Sequence, residues 1–341
     1  VKSIEIHSLP ISEVLQDLSN YFGTRCVNIC DEYIVKIPSS WGSGYIKGSS
    51  FSSGLGIIQY LCKFKTDLEI KLVVNNIHPV KFLYCLNGHF EHRFQNSHDV
   101  HSLNQYQNVI VASKGNNGHI LRFKAKTNTN LCSLEINRKE FKPLMDCYLQ
   151  KSIDELQYIF RDESAKKSFY HEGFYSFLIS GYFEEINAFM HNGLIKRTFM
   201  EAKAFQILTS QLIQFEDDML EGGKREIFRH SEVKSLEEAV RIIALELEHL
   251  EPVHSLANRV GLNQNKLQDG FHKMYALSVN AYIRKERLKL AVSLLKNTNI
   301  SMMEIMERLG LKSQSYFSKI FKDNFGHSPS KFRKLTTLKS S

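Results

Sequence analysis

The sequence predicts a multidomain α+β chain: an antiparallel β-region first, helices after it, and an all-α unit at the C-terminal end. Three observations predict it. Residues 1–138 break into short segments rich in β-branched and aromatic side chains, with no helix-length crossovers between them. From residue 139 the apolar spacing lengthens to three and four. Between Val253 and Lys334 two segments then repeat one plan of short helix, glycine turn and second helix.

In the β-region the strand candidates are CVNICDEYIVKI, GLGIIQYLCKF, LEIKLVVN, KFLYCLNG, NVIVASKG, GHILRFKA and LCSLEIN, separated by Gly, Asn, Ser or Pro. The NNGH that follows Lys114 and Gly115 has the chemistry of a hairpin turn. Residues 139–218 form a helical packing or dimerisation segment. Its strongest part is GLIKRTFMEAKAFQILTSQLIQF, where Ile195, Phe199, Ala202, Phe205, Leu208, Leu212 and Phe215 step by three or four. Such a stripe packs against the β-region or joins two subunits, and Ile195, Phe199, Ala202, Leu208 and Leu212 are the dimer candidates. Residues 219–234, charged and carrying Gly222 and Gly223, read as a linker. Ser235 and Glu238 have capping-box spacing and open the last unit, 235–337.

Within that unit the modules span 254–275 and 301–326. In the first, Gly261 is the turn, Asn263 the cap, and Leu267 with Phe271 the buried stripe. In the second, Ser301 and Glu304 form a capping box and Gly310 makes the turn. Ser313 caps the next helix, whose apolar stripe is Tyr316, Phe317, Ile320 and Phe321. The outer faces that remain are polar, and amides and hydroxyls at this spacing reach base edges in a major groove. Lysines, cap residues and helix N-termini suit phosphates. The phosphate candidates are Asn263, Gln264, Lys266, Lys273, Lys312, Ser313, Lys322, Lys331 and Arg333. The segment between the modules, Val279 to Lys296, would span about 27 Å as a helix, close to the separation of successive major grooves.

Charge sharpens this. The chain of 341 residues carries a net +8, from 44 basic and 36 acidic side chains. Val253 to Lys334 holds 15 basic and 5 acidic residues, so the remainder holds 29 and 31. The whole basic excess sits on the tandem modules, as a polyanion-binding surface requires.

The C-terminal segment resembles the DNA-binding domain of the AraC/XylS transcription regulators, ending in that family's signature as QSYFSKIFKDNFGHSPSKFRK, Gln314 to Lys334. The resemblance implies base-reading residues on the two second helices: Asn265, Gln268 and Asp269, then Gln314, Ser315, Ser318 and Lys319. Two departures stand out in IMERLGL, where Met306 replaces an alanine and Leu311 a phenylalanine of the family pattern. The N-terminal part resembles the cupin-like sensing domain of the same family. Its closest likeness is to the pyochelin-type branch, through GSGYIKGSSFSSGLGIIQY, LIKRTFMEAKAFQILTSQL and NQNKLQDGF. The implied protein is an activator controlled by a small-molecule effector, a ferric siderophore in that branch, with a sugar or aromatic effector as the alternative. Implied partners are promoter double-stranded DNA, RNA polymerase and a second copy of the chain.

Other chemistries compete with this reading. His78, His89, His92, His98 and His101 cluster in the β-region, but H-x-x-H on a strand points to opposite faces, so no metal is expected. A metal-dependent cupin enzyme tethered to DNA is the competing class. Cys26 and Cys30 would share a strand face and read as core. Trp41 and Tyr45, among Gly and Ser, are the ligand-mouth candidates. No P-loop, dinucleotide-binding glycines, serine-hydrolase elbow or kinase set occurs, so neither enzyme activity nor a cofactor is expected. Six cysteines without a disulfide framework, no secretory leader and no apolar run near about 18 residues predict a cytoplasmic chain without a membrane segment.

Overall fold

Alternating side chains in the first 136 residues build two facing sheets whose shared interior is the core. A computed structural model describes residues 1–73, 77–173, 175–220 and 230–337. The chain divides into two compact units, Val1–Glu226 and Ile227–Ser341.

The first unit opens with β1 (Lys2–Ile6) and α1 (Ile11–Phe22), then β2 (Cys26–Ile29), β3 (Glu32–Lys36), β4 (Gly42–Ser50), β5 (Leu55–Phe64) and β6 (Leu68–Leu72). There follow β7 (Val80–Asn87), β8 (His89–Phe94), β9 (His101–Asn104), β10 (Asn108–Ala112), β11 (His119–Phe123) and β12 (Thr129–Ile136). Then come α2 (Arg138–Leu149), α3 (Asp154–Arg161), β13 (Phe169–Glu172), α4 (Phe177–Ala188) and α5 (Gly193–Leu220). One sheet runs β1-β6-β11-β8-β9 and the other β13-β10-β7-β12-β5-β4-β3-β2. Pairing is antiparallel except between β1 and β6. The arrangement is the cupin-like antiparallel β-fold with following helices that the sequence predicts.

The central strands of the eight-stranded sheet, β5, β7, β10 and β12, are buried on both faces. Along β5, Ile58, Tyr60, Cys62 and Phe64 meet Phe90, Leu121 and Phe123 of the other sheet. Leu55 and Ile57 point the other way, into a second core completed by Phe141, Phe160, Phe183 and the inner face of α5. Period-two alternation therefore serves two apolar layers, which is why these strands read as nearly continuous hydrophobic runs.

Several local expectations are corrected. Residues 11–22, read within the strand-rich region, form α1: Ile11, Val14, Leu15, Leu18 and Phe22 are buried at helical spacing, and Gly23 closes the helix at φ 63. CVNICDEYIVKI is a hairpin rather than one strand. Cys30 and Asp31 sit at its tip with φ 50 and 64, so Cys26 and Cys30 share no strand face. The NNGH turn is not a hairpin either, because β10 and β11 on either side of it belong to different sheets.

The linker is shorter than 219–234. The α5 helix continues through Leu220, and α6 (His230–Leu245) begins before Ser235. Gly222 and Gly223 lie outside the described residues. Ser235 and Glu238 are consequently internal to α6, where Glu238 pairs with Arg241 at 2.6 Å instead of closing a capping box. The cause is Val233, which is buried with Leu236 and Ala239 and draws the preceding turn into the helix.

Candidate nucleic-acid interface

After α6 come α7 (Val253–Arg259), α8 (Gln264–Tyr275), α9 (Val279–Asn297), α10 (Met302–Arg308), α11 (Gln314–Phe325) and α12 (Pro329–Thr337). The first module is α7–α8, turning at Gly261 with φ 71, and the second is α10–α11, turning at Gly310 with φ 62. At Gly310 space matters as well as conformation, since a Cβ there would lie 2.6 Å from the carbonyl oxygens of Leu247 and Glu248.

Caps fix where each second helix starts. The Asn263 side chain accepts from Lys266 N at 2.8 Å, and Ser313 Oγ from Tyr316 N at 3.3 Å. Ser278 and Ser301 do the same for α9 and α10. Only half of the expected box at Ser301 forms, because the Glu304 carboxylate turns to Arg308 at 2.8 Å. Behind the helices, Leu267, Phe271 and Met274 of α8 are buried, as are Phe317, Ile320 and Phe321 of α11. Leu236 of α6 packs so closely on Gly270 that a Cβ there would come within 2.4 Å of it. Met306 and Leu311, the two departures from the family pattern, are half-buried against the core of the second module.

The outward residues sort into groups. Gln264, Asn265 and Asp269 on α8, and Gln314, Ser315 and Lys319 on α11, are exposed; Ser318 is half-buried. Lys273, Lys312, Lys322 and Lys331 are exposed around them, and Arg333 is half-buried. Three assignments change. Gln268 is half-buried and its Oε1 accepts from Val279 N at 3.1 Å, so its carbonyl anchors the first turn of α9. Lys266 is bound to Glu232 of α6. Tyr316, expected in the apolar stripe, is 46% exposed, because it follows the cap by three residues and sits on the flank of the helix.

The first unit contains a separate cavity of about 660 Å³ between the β1–α1 turn, the β4–β5 loop and the start of α2. Ile11, Phe51 and Leu55 line it with His78, Glu135 and Arg138. Arg138, 3% exposed, donates to His78 O at 3.0 Å and Asp162 O at 2.7 Å. Glu135 is held by the buried Lys81 and by Ser133 Oγ at 3.2 Å. Trp41 and Tyr45 are not at this cavity. Trp41 packs edge-on against Phe22 at 5.2 Å with Lys2 Nζ 4.4 Å from its ring.

Of the clustered histidines, His92 and His101 stack, and His92 bonds His119, a residue outside the expected cluster, across 3.1 Å. His78 packs edge-on against His119 at 5.4 Å. Burial first, then the neighbouring His101 and Lys81, lowers the His92 pKa to about 3, and burial likewise holds His119 well below its ordinary value. Among the described residues no group of three or more His, Cys, Asp or Glu is set to hold a metal ion. Among them, too, no helix is long and apolar enough to cross a membrane.

The dimer candidates on α5 do not share one face. Leu208 is buried in the unit's own core, Phe199 and Leu212 are half-buried against it, and Ile195 and Ala202 are exposed. The helix buries Met200, Ala204, Ile207, Leu208 and Phe215, a stripe rotated from the one read in sequence.

A cupin-like β-unit followed in sequence by an α-helical unit of this plan is the architecture of AraC-type regulators. Residues 256–335 match the family model described as a helix-turn-helix domain, and residues 43–224, just over half of the chain, match the regulatory protein PchR N-terminal domain. The chain belongs to the AraC-type regulators that carry this PchR N-terminal domain. The Msm operon regulatory protein of Streptococcus mutans is 40% identical over 82 residues, 24% of this chain and 30% of that protein. The probable transcription factor PqrA of Proteus vulgaris is 33% identical over 86 residues, 25% of this chain and 70% of that one. Among solved structures, an AraC-type transcriptional regulator from Chromobacterium violaceum aligns with 24% identity and a TM-score of 0.29, over 32% of this chain and 96% of its own. The chain thus spans less than a third of the first relative's length.

Proposed function

We propose that the protein regulates transcription by placing α8 and α11 in successive major grooves of promoter DNA, under the control of an effector held by the first unit. One observation carries the reading. Two capped helix-turn-helix modules with exposed polar second helices are joined by a single helix of 19 residues, about 28 Å long. The concentration of 15 basic against 5 acidic residues on the same segment supports it. Base edges are assigned to Asn265, Asp269, Gln314, Ser315, Ser318 and Lys319, and phosphates to Lys273, Lys312, Lys322, Lys331 and Arg333.

The test is selection of a preferred duplex from a random pool, followed by titration of variants. Gln314→Ala is expected to cost about 1–3 kcal/mol on the selected site and to relax the preference at one position. Lys322→Ala is expected to weaken all duplexes alike and to flatten the log–log salt slope by about 0.9. Identical behaviour of the two variants would refute the division into readers and anchors.

The cavity beside Arg138 is the proposed effector site; its volume lies within the usual range of about 300–1,000 Å³ for small-molecule sites. In the pyochelin-type branch that the N-terminal part resembles, the effector is a ferric siderophore, which makes that class the first candidate here, ahead of a sugar or an aromatic. Activation through RNA polymerase and pairing with a second copy belong to the same proposal. Control requires that the effector bind the active and inactive arrangements with different affinity.

A further inference from the structure

A groove of about 340 Å³ lies between the two modules, walled by the start of α7, the first half of α9 and the front of α11. Arg284 and Arg287 line it from adjacent turns of α9, and Tyr316 and Ile320 face it from α11. Neither arginine reaches a carboxylate among the described residues. The acidic residue at the rim, Glu251, is drawn away by Arg259 at 3.4 Å. Arg287 donates from one nitrogen to Leu247 O at 3.4 Å, and its Nε is buried without an acceptor among the described residues. The two guanidinium groups therefore have no carboxylate partner among the described residues.

The position of the groove says which anion fits. Tyr316 lies in the first turn of α11, directly after Gln314 and Ser315, so the groove opens beside the end of the helix that would enter DNA. A duplex engaged by both modules must carry one strand across the interval between them. Planar guanidinium donors match phosphate oxygens in geometry and charge. We infer that this groove clamps a backbone phosphate of that crossing strand through Arg284 and Arg287. The inference rests on the DNA-binding reading above and adds two contacts that lie on neither recognition helix.

The experiment titrates the full chain with a labelled duplex, long enough to offer two major grooves, across a salt series. Arg284→Gln is expected to reduce the log–log slope by about 0.9 without altering the preferred sequence, and Arg287→Gln in addition to double that loss. Arg287→Lys keeps the charge and is expected to keep the wild-type slope, which separates lost charge from lost folding. Because Arg284 is exposed, its single variant remains informative if the Arg287→Gln chain fails to fold. An unchanged slope in Arg284→Gln, with duplex binding intact, overturns the clamp alone. Unchanged duplex binding with lost affinity for polyglutamate would overturn it in favour of an acidic protein partner. A wild-type chain that holds no duplex at any salt overturns the DNA-binding reading and the clamp together.

Discussion

Gln268 shows how a contact between elements can engage a residue that local spacing assigns to DNA. An amide on the outer turn of a second helix is a natural base reader. Here its carbonyl holds the first amide of α9, a contact between two elements that no local spacing reveals. Gln268→Ala is therefore expected to lower the unfolding free energy by about 0.5–1.5 kcal/mol, measured by urea denaturation, and to leave the base preference at that position unrelaxed. A relaxed preference at unchanged stability would restore it to the readers. His92 and His119 supply a second residue-scale test. Both are 0% exposed with lowered folded pKa values, so below the ordinary histidine range the unfolded chain binds protons that the folded chain refuses. Stability is fully present above about pH 6.5 and is lost as pH falls from there towards about 3, by up to about 1.4 kcal/mol per histidine per pH unit. His92→Phe is expected to flatten the acid limb of a plot of melting temperature against pH; an unaltered limb would show that this imidazole does not set it.

At the scale of elements, the helix-turn-helix modules were legible because their signals are local. Asn263 and Ser313 cap within three residues, and Gly261 and Gly310 need positive φ whatever surrounds them. The two glycines nevertheless differ. A Cβ added at Gly261 would meet nothing within 4 Å, whereas at Gly310 it would strike backbone carbonyls. Gly310→Ala is expected to destabilise the second unit more than Gly261→Ala, whose cost is conformational alone at about 1 kcal/mol. Equal shifts in calorimetric melting of the pair would mean that the backbone near Leu247 yields. The α5 helix was legible as a helix but not in its orientation. Its apolar residues surround more than one face, and only the position of β5 and α4 selects Met200, Ala204 and Ile207 for burial. The α1 helix was missed for a related reason: it is a single amphipathic helix among strands, and its residues meet the β-core through tertiary contact.

For the whole molecule, sensing and DNA recognition are assigned to separate units, so each can be probed in the intact chain. A ligand that fills the cavity beside Arg138 is expected to raise the melting temperature of the full chain, by an amount set by RT ln(1 + [L]/Kd), about 2.7 kcal/mol at a hundredfold excess over Kd. Leu55→Trp, which would fill the cavity from the start of β5, is expected to abolish that shift for a ferric siderophore while preserving duplex binding. A shift retained in the variant would place the effector elsewhere.

The sequence by itself determined the order of the parts, the tandem modules with their caps and turns, and the segregation of positive charge onto them. These depend on neighbours a few residues apart, or on composition, and both can be counted along the chain. Tertiary structure alone decided which faces are covered, that Trp41 packs rather than lines a mouth, that His119 completes the histidine contacts, and that Arg284 and Arg287 stand together without an acidic partner among the described residues. Those outcomes depend on residues far apart in the chain meeting in three dimensions, and period and spacing carry no record of such meetings.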